Sequence, residues 1–446
     1  MAKTLPVVSG ALPAAAAGAP ANGAPVPPLG VRREELSPLH DFAGKLLQPS
    51  MLPRLKRYVA WQAEIRRRLN AGIPLADLLD ELDDVPVSVN LDLTTACNYR
   101  CDHCVDLEIL NTGVKYEEQA LRDALALLAR KGLKSVIVIG GGEPTVHPTF
   151  SEVIRFMKGL GLQLGIVSNG SGNKKVLEVA DCLDARDWVR LSLDSGTEET
   201  FQIMHKPRRP VTLDEICEGV PPIKARNPAF KVGFSFIITW KGAFVNDTNI
   251  HENLNEIVLA AERARRYEFD YLSLKPFLTR AEGNNAEIVD LDDERKDVDF
   301  EAVMRTIRAR IAEARKLETE RFKILESTNL RVLENGTYRQ YTQQPHNCHM
   351  QWFRQVISPL GLFNCPVYRN QPHGQIGHKH AYADPRDLPS VLRSTMQLIG
   401  TFDATEQCKE VTCLYNHVNW FIEDLVQHPE KVDALEAGPE RGDFYL

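Results

Sequence analysis

Three cysteines stand close together in the run Thr95-Ala96-Cys97-Asn98-Tyr99-Arg100-Cys101-Asp102-His103-Cys104. They follow an apolar segment, Val87–Leu93, that has the pattern of a β-strand. Because ferredoxin-type [4Fe–4S] clusters normally use four cysteines, three on one tight loop leave the fourth iron open to another ligand. The alternative is a structural zinc knuckle, which needs a fourth ligand nearby, such as His103, and usually has Cys-x2-Cys pairs.

The composition sets limits on the function. The chain has 446 residues, enough for two domains or one large barrel with attachments. A net charge of −7 and the lack of a basic stripe argue against nucleic-acid binding, and no apolar run reaches the ~18 residues of a membrane span. Nine cysteines, an odd number, favour metal or cluster binding over disulfides. We therefore expect a reducing, cytoplasmic location.

The flanking segments differ in composition from the centre. Ala, Pro or Gly occupy 16 of the 20 residues from Ala11 to Gly30, which predicts a disordered tail over residues 1–31. Residues 32–85 have a helical pattern and are interpreted either as a cap over the active site or as an amphipathic extension that covers one face of the barrel. Residues 281–346 are predicted to be a helical linker that contains the helix Val303–Leu317.

From Pro86 onwards, strand and helix patterns alternate. The predicted strands are Val87–Leu93, Ser135–Ile139, Gln163–Val167, Trp188–Leu193, Lys231–Thr239 and Tyr271–Leu274. The predicted helices are Glu117–Arg130, Phe150–Leu160, Lys174–Cys182, Leu213–Ala225 and Asn253–Tyr267. Because parallel strands need crossover connections, this alternation predicts an α/β fold with a parallel sheet. Right-handed crossovers would curl it into a partial (βα)6 TIM-like barrel over residues 86–280, with functional loops at the carboxyl ends of the strands.

Polar motifs lie at those strand ends. The second strand closes on Gly140-Gly141-Gly142-Glu143, where glycines let the backbone approach a ligand. Ser168 and Asn169 end the third strand, and Ser192 and Asp194 share one face of the fourth. A tight turn or a helix cap is the alternative for the glycine run and for Ser168 and Asn169.

Together these motifs resemble the radical S-adenosylmethionine (SAM) superfamily. The resemblance implies a [4Fe–4S] cluster on Cys97, Cys101 and Cys104, with the amine and carboxylate of SAM on the fourth iron. It also implies that SAM lies against the following residues: Gly141, Gly142, Glu143, Ser168, Asn169, Ser192 and Asp194. Superfamily members usually have an aromatic residue where this chain has His103, and we expect the imidazole to pack against the adenine. A flavodoxin or ferredoxin-type protein is the implied electron donor.

A second set of cysteines lies near the C-terminus: Cys348, Cys365, Cys408 and Cys413. A predicted turn at Pro359–Gly361 between two short strands brings the first two together. Four cysteines are what one fully ligated cluster needs, and also what a four-thiolate zinc site needs. The arrangement resembles the Twitch form of the SPASM extension, which implies a second, auxiliary [4Fe–4S] cluster in a domain over residues 347–446.

The resemblance further implies reductive cleavage of SAM and abstraction of hydrogen from a substrate. We expect a small polar metabolite, of the amino sugar or aminocyclitol type, that is oxidised or dehydrated, with dehydrogenation favoured over diol dehydration. The alternatives are a peptide maturase that acts on a ribosomal peptide and a non-catalytic iron–sulfur or zinc scaffold. No catalytic side chain is predicted.

Overall fold

The structure is a computed structural model that describes residues 36–79, 82–245, 248–280, 287–288 and 299–446. The tail predicted over residues 1–31 lies outside the described residues, as do parts of the predicted linker. No helix in the described ranges is long and apolar enough to cross a membrane.

The strands are short and lie mostly in one sheet. In chain order they are β1 (Ser88–Leu91), β2 (Ser135–Val138), β3 (Gln163–Ser168), β4 (Trp188–Ser192), β5 (Lys231–Ile238), β6 (Phe244–Val245), β7 (Thr248–Asn249), β8 (Tyr271–Pro276), β9 (Thr279–Arg280), β10 (Glu287–Ile288), β11 (Lys323–Glu326), β12 (Arg354–Ser358), β13 (Gly361–Phe363) and β14 (Gln375–Gly377). All six predicted strands are present. The two short strands predicted on either side of the Pro359–Gly361 turn are β12 and β13, whereas the sequence analysis missed β11, which is only four residues long.

Ten strands form the main sheet, in the order β11-β8-β5-β4-β3-β2-β1-β12-β13-β14. From β11 to β12 every neighbouring pair is parallel, and β13 and β14 are antiparallel additions. The predicted α/β class with a parallel sheet is confirmed. In the described part of the chain the sheet is open, because β11 and β14 are its two ends.

Helices connect the parallel strands. They are α1 (Phe42–Leu46), α2 (Leu52–Asn70), α3 (Glu118–Lys131), α4 (Phe150–Gly159), α5 (Asn173–Val179), α6 (Glu198–His205), α7 (Leu213–Glu218), α8 (Val220–Arg226), α9 (Ile257–Arg266), α10 (Phe300–Arg315), α11 (Thr328–Glu334), α12 (Tyr338–Tyr341), α13 (Met350–Phe353), α14 (Leu388–Thr401), α15 (Ala404–Gln407), α16 (Asn416–Gln427) and α17 (Glu430–Asp433). The helix predicted over Leu213–Ala225 is divided at Gly219, because the prolines at positions 221 and 222 cannot donate the backbone hydrogen bonds that would continue α7. The sequence analysis missed α6, which Thr197 caps.

Alternation along the strands separates an apolar face from a polar one. On β1 and just beyond it, Val89, Leu91 and Leu93 are buried on one face, while Asn90 and Asp92 lie on the other. The apolar face packs in the main hydrophobic core, which also contains the buried side of α3. The polar face and the carboxyl ends of the strands are therefore available for a functional site.

The N-terminal extension packs against the C-terminal region. In α2, the Tyr58 hydroxyl lies 2.9 Å from His349 Nδ1, and Arg66 forms two hydrogen bonds with the Glu423 carboxylate of α16. Of the two interpretations of residues 32–85, these contacts favour an extension that covers another part of the fold.

Candidate active site

The three-cysteine loop follows β1, and backbone and side-chain hydrogen bonds hold its shape. The Cys97 N–H donates to Asn111 Oδ1 at 3.0 Å, and the Asn111 N–H donates to the Thr95 carbonyl at 2.7 Å. Asn111 adopts φ +55°, a left-handed conformation that Asn tolerates better than most residues. The two ends of the loop are thus tied together by one asparagine that the sequence analysis did not single out.

On its other side the loop contacts the end of α6. The backbone N–H of Arg100 donates to the His205 carbonyl at 3.2 Å, and Cys101 Sγ lies 3.2 Å from His205 Nδ1. His205 is buried, and its Nε2 lies 2.9 Å from the Leu193 carbonyl. The missed helix α6 therefore carries a residue in direct contact with a predicted cluster ligand.

The chemistry of the three thiols fits an iron–sulfur cluster. All three are half-buried and lie on one loop. Burial, and then the neighbouring thiols of Cys104 and Cys97, raise the pKa of Cys101. Thiolates this close repel one another unless a cation neutralises them, and cluster iron binds thiolates. The three cysteines therefore suit the predicted [4Fe–4S] cluster.

The glycine turn after β2 packs against this loop. The Glu143 N–H donates to the Ala96 carbonyl at 2.9 Å. A Cβ on Gly142 would overlap the same carbonyl, and Gly141 adopts φ +69°. Gly141 and Gly142 therefore lie against the cysteine loop, and only residues without a side chain permit this approach.

Glu143 joins the ends of two strands. Its buried carboxylate accepts hydrogen bonds from the Thr145 hydroxyl at 2.6 Å, the Ser168 hydroxyl at 2.8 Å and the Asn169 N–H at 2.6 Å. The Asn169 amide in turn donates to Asn98 Oδ1 of the cysteine loop at 2.9 Å. The structure thus brings Glu143, Ser168 and Asn169 together beside the cysteines, and their contact with SAM stays a prediction.

Asp194 is buried at the end of β4 and faces two imidazoles. Its Oδ2 lies 3.1 Å from His103 Nε2 and 3.6 Å from His205 Nε2, and its Oδ1 accepts from the Ile237 N–H at 2.7 Å. Burial by itself raises the pKa of Asp194, but the hydrogen bond from His103 and the two imidazoles outweigh it and hold the pKa below its usual value. His103 is thus engaged with Asp194, an arrangement that the sequence analysis missed. Ser192 is half-buried on the same face.

A buried ion-pair group connects the cysteine loop to the C-terminal region. Arg369 Nε lies 2.8 Å from Asp92 Oδ2, and Arg369 Nη1 also pairs with Asp106. Asp106 accepts from the Gly141 N–H at 3.1 Å. A Cβ on Gly140 would lie 2.6 Å from Arg369 Nη2, so the glycine leaves room for the guanidinium.

The four C-terminal cysteines come together beside β12 and β13. Burial, followed by the Cys365 thiol, raises the pKa of Cys348 to about 12. Burial also raises the pKa of Cys408 and of Cys413, and both thiols are further affected by Cys348 and Cys365. The four thiols thus act on one another electrostatically, so the fold brings the separated cysteines into one region.

A cleft of about 430 Å³ opens beside the cysteine loop. Its lining includes Cys97 and Asn98 together with Arg208 and Arg209, whose side chains are exposed. One wall of the three-cysteine site is therefore accessible from outside and is basic.

Comparisons with known proteins match the part of the chain that carries the three-cysteine loop. The model of the Radical SAM superfamily matches residues 91–270. An S-adenosylmethionine-dependent nucleotide dehydratase of Flammeovirga pacifica is 30% identical over 194 residues, which cover 42% of this chain and 63% of the relative. Mycofactocin maturase MftC of Mycobacterium tuberculosis is 30% identical over 131 residues, which cover 28% of this chain and 33% of the relative. The chain thus spans less than two thirds of the length of either relative.

A solved structure of SuiB from Streptococcus suis is also similar, with a TM-score of 0.48 and 13% identity over 68% of this chain and 65% of that one. Similarity at this level carries no argument about function. The match to the family model falls on β1 to α9, the part of the chain that holds the three cysteines and the glycine turn. Through this region the chain is similar to the radical SAM superfamily.

Proposed function

We propose that this chain is an enzyme that cleaves SAM reductively and abstracts hydrogen from a small polar metabolite. Cys97, Cys101 and Cys104 would hold the [4Fe–4S] cluster. The observation that carries the proposal is the packing of the three-cysteine loop against the Gly141–Glu143 turn, at the carboxyl ends of parallel strands. Cluster and SAM, when bound, supply an electron and a 5′-deoxyadenosyl radical.

The chain's own residues would position these groups and limit access of water. Asn111 and His205 fix the two sides of the cysteine loop, and Glu143 holds the β2 and β3 ends beside it. The glycines leave backbone groups of the turn within reach of a ligand. Because preorganised groups need not rearrange during the reaction, such a rigid surround favours a single orientation of SAM.

For the substrate reaction we propose dehydration ahead of oxidation. The name of the Flammeovirga pacifica relative, a nucleotide dehydratase, supports this order and reverses the preference drawn from the sequence. In dehydration, the 5′-deoxyadenosyl radical takes a hydrogen atom from carbon, and a neighbouring hydroxyl leaves with a proton as water. The radical that remains then takes back a hydrogen atom or accepts one electron from the reductant. A nucleotide or a related sugar-containing metabolite is the substrate type that this comparison favours over an aminocyclitol.

We propose that Cys348, Cys365, Cys408 and Cys413 bind a second [4Fe–4S] cluster. Their mutual proximity and burial support one shared site. A cluster with four protein ligands has no open iron for the substrate, so its role would be structural or electron transfer. Oxidation would require an acceptor for one electron from the substrate radical, whereas dehydration would require no electron acceptor.

The test is an anaerobic assay for 5′-deoxyadenosine with dithionite, followed by mass analysis of the product. The wild-type chain should cleave SAM, and the Cys97→Ala/Cys101→Ala/Cys104→Ala variant should not. A matched control is Cys217→Ala, because this thiol is buried in α7 away from both cysteine sets. Loss of water from the substrate would support dehydration, and loss of two hydrogens would support oxidation. Equal 5′-deoxyadenosine from the triple variant would refute the proposal.

A peptide maturase is the second candidate, because a second relative is named a mycofactocin maturase. Substrate-dependent 5′-deoxyadenosine with a peptide, and a product of altered peptide mass, would favour it. A chain that binds iron or zinc and yet never cleaves SAM would instead be a non-catalytic scaffold.

The electron donor would approach the basic cleft beside Cys97. Arg208 and Arg209 are exposed there on a chain whose net charge is −7. We propose that an acidic flavodoxin or ferredoxin-type protein docks at this cleft. Because exposed charge pairs are screened by salt, reduction by the donor should slow steeply with ionic strength in the wild type and less in Arg208→Gln/Arg209→Gln. Equal salt dependence would place the donor elsewhere.

A further inference from the structure

Three serines form a row across the polar face of the sheet. Ser192 of β4 pairs with Ser235 of β5, which pairs with Ser273 of β8. Residues in register on neighbouring parallel strands point to the same side of the sheet. The residues that precede these serines, on the opposite face, are fully buried in the hydrophobic core: Leu191, Phe234 and Leu272. The three hydroxyls therefore face the interior enclosed by the sheet.

Ser235 and Ser273 have side chains ready for a ligand. Neither hydroxyl has a hydrogen-bond partner among the described residues, although both serines are buried. Buried hydroxyls are nearly always hydrogen-bonded. A ligand that accepts hydrogen bonds would satisfy both.

Arg190 lies two residues before Ser192 on β4, on the same face of the sheet. It pairs in register with Gly233, and the ring of Tyr271, the next residue in this register, occupies the space that a Cβ on Gly233 would need. The guanidinium lies 5.4 Å from the centre of the Trp188 ring, and its buried Nε has no hydrogen-bond partner among the described residues. A buried cation without a hydrogen-bonded counterion is unfavourable, so this position calls for an anion.

The charges around this interior are cationic. The pKa of His40 falls to about 3, because of burial and then of the charges of Lys45, Lys275, Arg190 and Arg331. Lys275 lies two residues beyond Ser273 on the same face of β8. Burial lowers the pKa of Arg190, against the opposing effects of Tyr271 and then of Asp194, whose carboxylate already faces His103.

We propose that Arg190, Ser235 and Ser273, together with Lys275, bind a phosphate group of the substrate. The proposal rests on the function proposed above and adds the chemical class of the substrate, a phosphorylated metabolite. Arginine presents a fork of donors that matches phosphate oxygens, and lysine and serine add further donors. A phosphate has more acceptor oxygens than a carboxylate and can use this number of donors.

The depth of Arg190 argues against the SAM carboxylate as the anion. Asp194, which contacts the cysteine loop through His103, stands four residues further along the chain. Because Asp194 lies just beyond the end of β4, the two backbone positions are at most about 13 Å apart at about 3.3 Å per residue. A SAM carboxylate bound at the cluster would lie near Asp194, whereas a distal group of the substrate would extend towards Arg190.

The test measures binding of inorganic pyrophosphate by calorimetry, using the full chain reconstituted without oxygen. We expect Arg190→Met to weaken binding at least tenfold, Arg190→Lys to restore part of it, and Ser235→Ala/Ser273→Ala to weaken it less. The matched control is Arg186→Met, since Arg186 is exposed just before the same strand and bonds only to Asp184 through its side chain. Far-ultraviolet circular dichroism reports whether each variant is folded.

SAM binding, measured in parallel by equilibrium dialysis, separates the two sources of the anion. Unchanged SAM affinity in Arg190→Met, with pyrophosphate binding lost, supports a substrate phosphate. An equal loss of SAM affinity would assign Arg190 to the SAM carboxylate and overturn the proposal. Equal pyrophosphate affinity in the wild type, Arg190→Met and the serine double variant would also overturn it. Arginine-dependent pyrophosphate binding by a chain that never cleaves SAM would refute the proposed function and leave the phosphate site standing.

Discussion

Replacing Arg369 with methionine tests whether buried charges hold the C-terminal region against the cysteine loop. The side chains of Arg369, Asp92 and Asp106 are at most 8% exposed, so water cannot solvate the carboxylates left behind. Removing one partner of a buried ion pair generally costs 3–5 kcal/mol, and because one cation here serves two acids we expect about 4–5 kcal/mol. The methionine would still fill most of the space, so lost packing contributes little.

The assay is equilibrium unfolding in urea at pH 7, followed by circular dichroism. Asp92→Asn/Arg369→Met should recover about 1–3 kcal/mol relative to the sum of the single changes, because it removes a carboxylate that Arg369 no longer balances. Arg386→Met is the matched control, since this arginine is 89% exposed and should leave the free energy of unfolding unchanged. A loss for Arg369→Met no larger than the ~0.5 kcal/mol of ordinary surface substitutions would refute the reasoning.

Three further predictions concern the metal sites, the glycine turn and pH. Reconstitution with iron and sulfide should give about eight irons per chain, and about four after Cys97, Cys101 and Cys104 are changed to alanine; zinc in place of half the iron would make the C-terminal site a four-thiolate zinc site. Gly142→Ala should cost about 1–3 kcal/mol of stability because its Cβ would overlap the Ala96 carbonyl. In the control Gly159→Ala the new Cβ meets no atom within 4 Å and should not destabilise the fold. Equal melting temperatures for the two variants would contradict this. Because the fold lowers the pKa of Asp194, the ionised carboxylate stabilises the fold at neutral pH. The wild type should therefore be more stable than Asp194→Asn at pH 7, and the difference should shrink as the pH falls below about 4. A difference in melting temperature that does not vary with pH would be evidence against this.

The sequence predicted the parts of the fold that have local signals. Alternating apolar residues marked β1 to β5 and β8, and the cysteine spacing and the glycine run marked the loops that follow β1 and β2. The helix over Leu213–Ala225 was predicted as one piece because its apolar spacing continues across the break that Gly219 and the prolines impose. Periodicity alone does not reveal such a break.

The side-chain contacts that complete the site could not be predicted. His103 and Asp194 are 91 residues apart, and Arg369 and Asp106 are 263 apart, so no local pattern connects them. The β12 strand pairs with β1 although Ser88 and its partner Arg354 are 266 residues apart along the chain. Only the assembled sheet brings such groups together.

Because β12 pairs with β1, one of the two neighbours of the first strand comes from the last quarter of the chain. β1 has β2 on one side and β12 on the other, with Leu91 opposite Ile357. During synthesis β1 therefore emerges long before β12. Until β12 is made, the backbone N–H and C=O groups on that edge of β1 remain unpaired. Exposed strand edges are templates for intermolecular pairing, and such long-range pairings form slowly. A chain interrupted before residue 354 would present this edge to its neighbours and would be prone to aggregate.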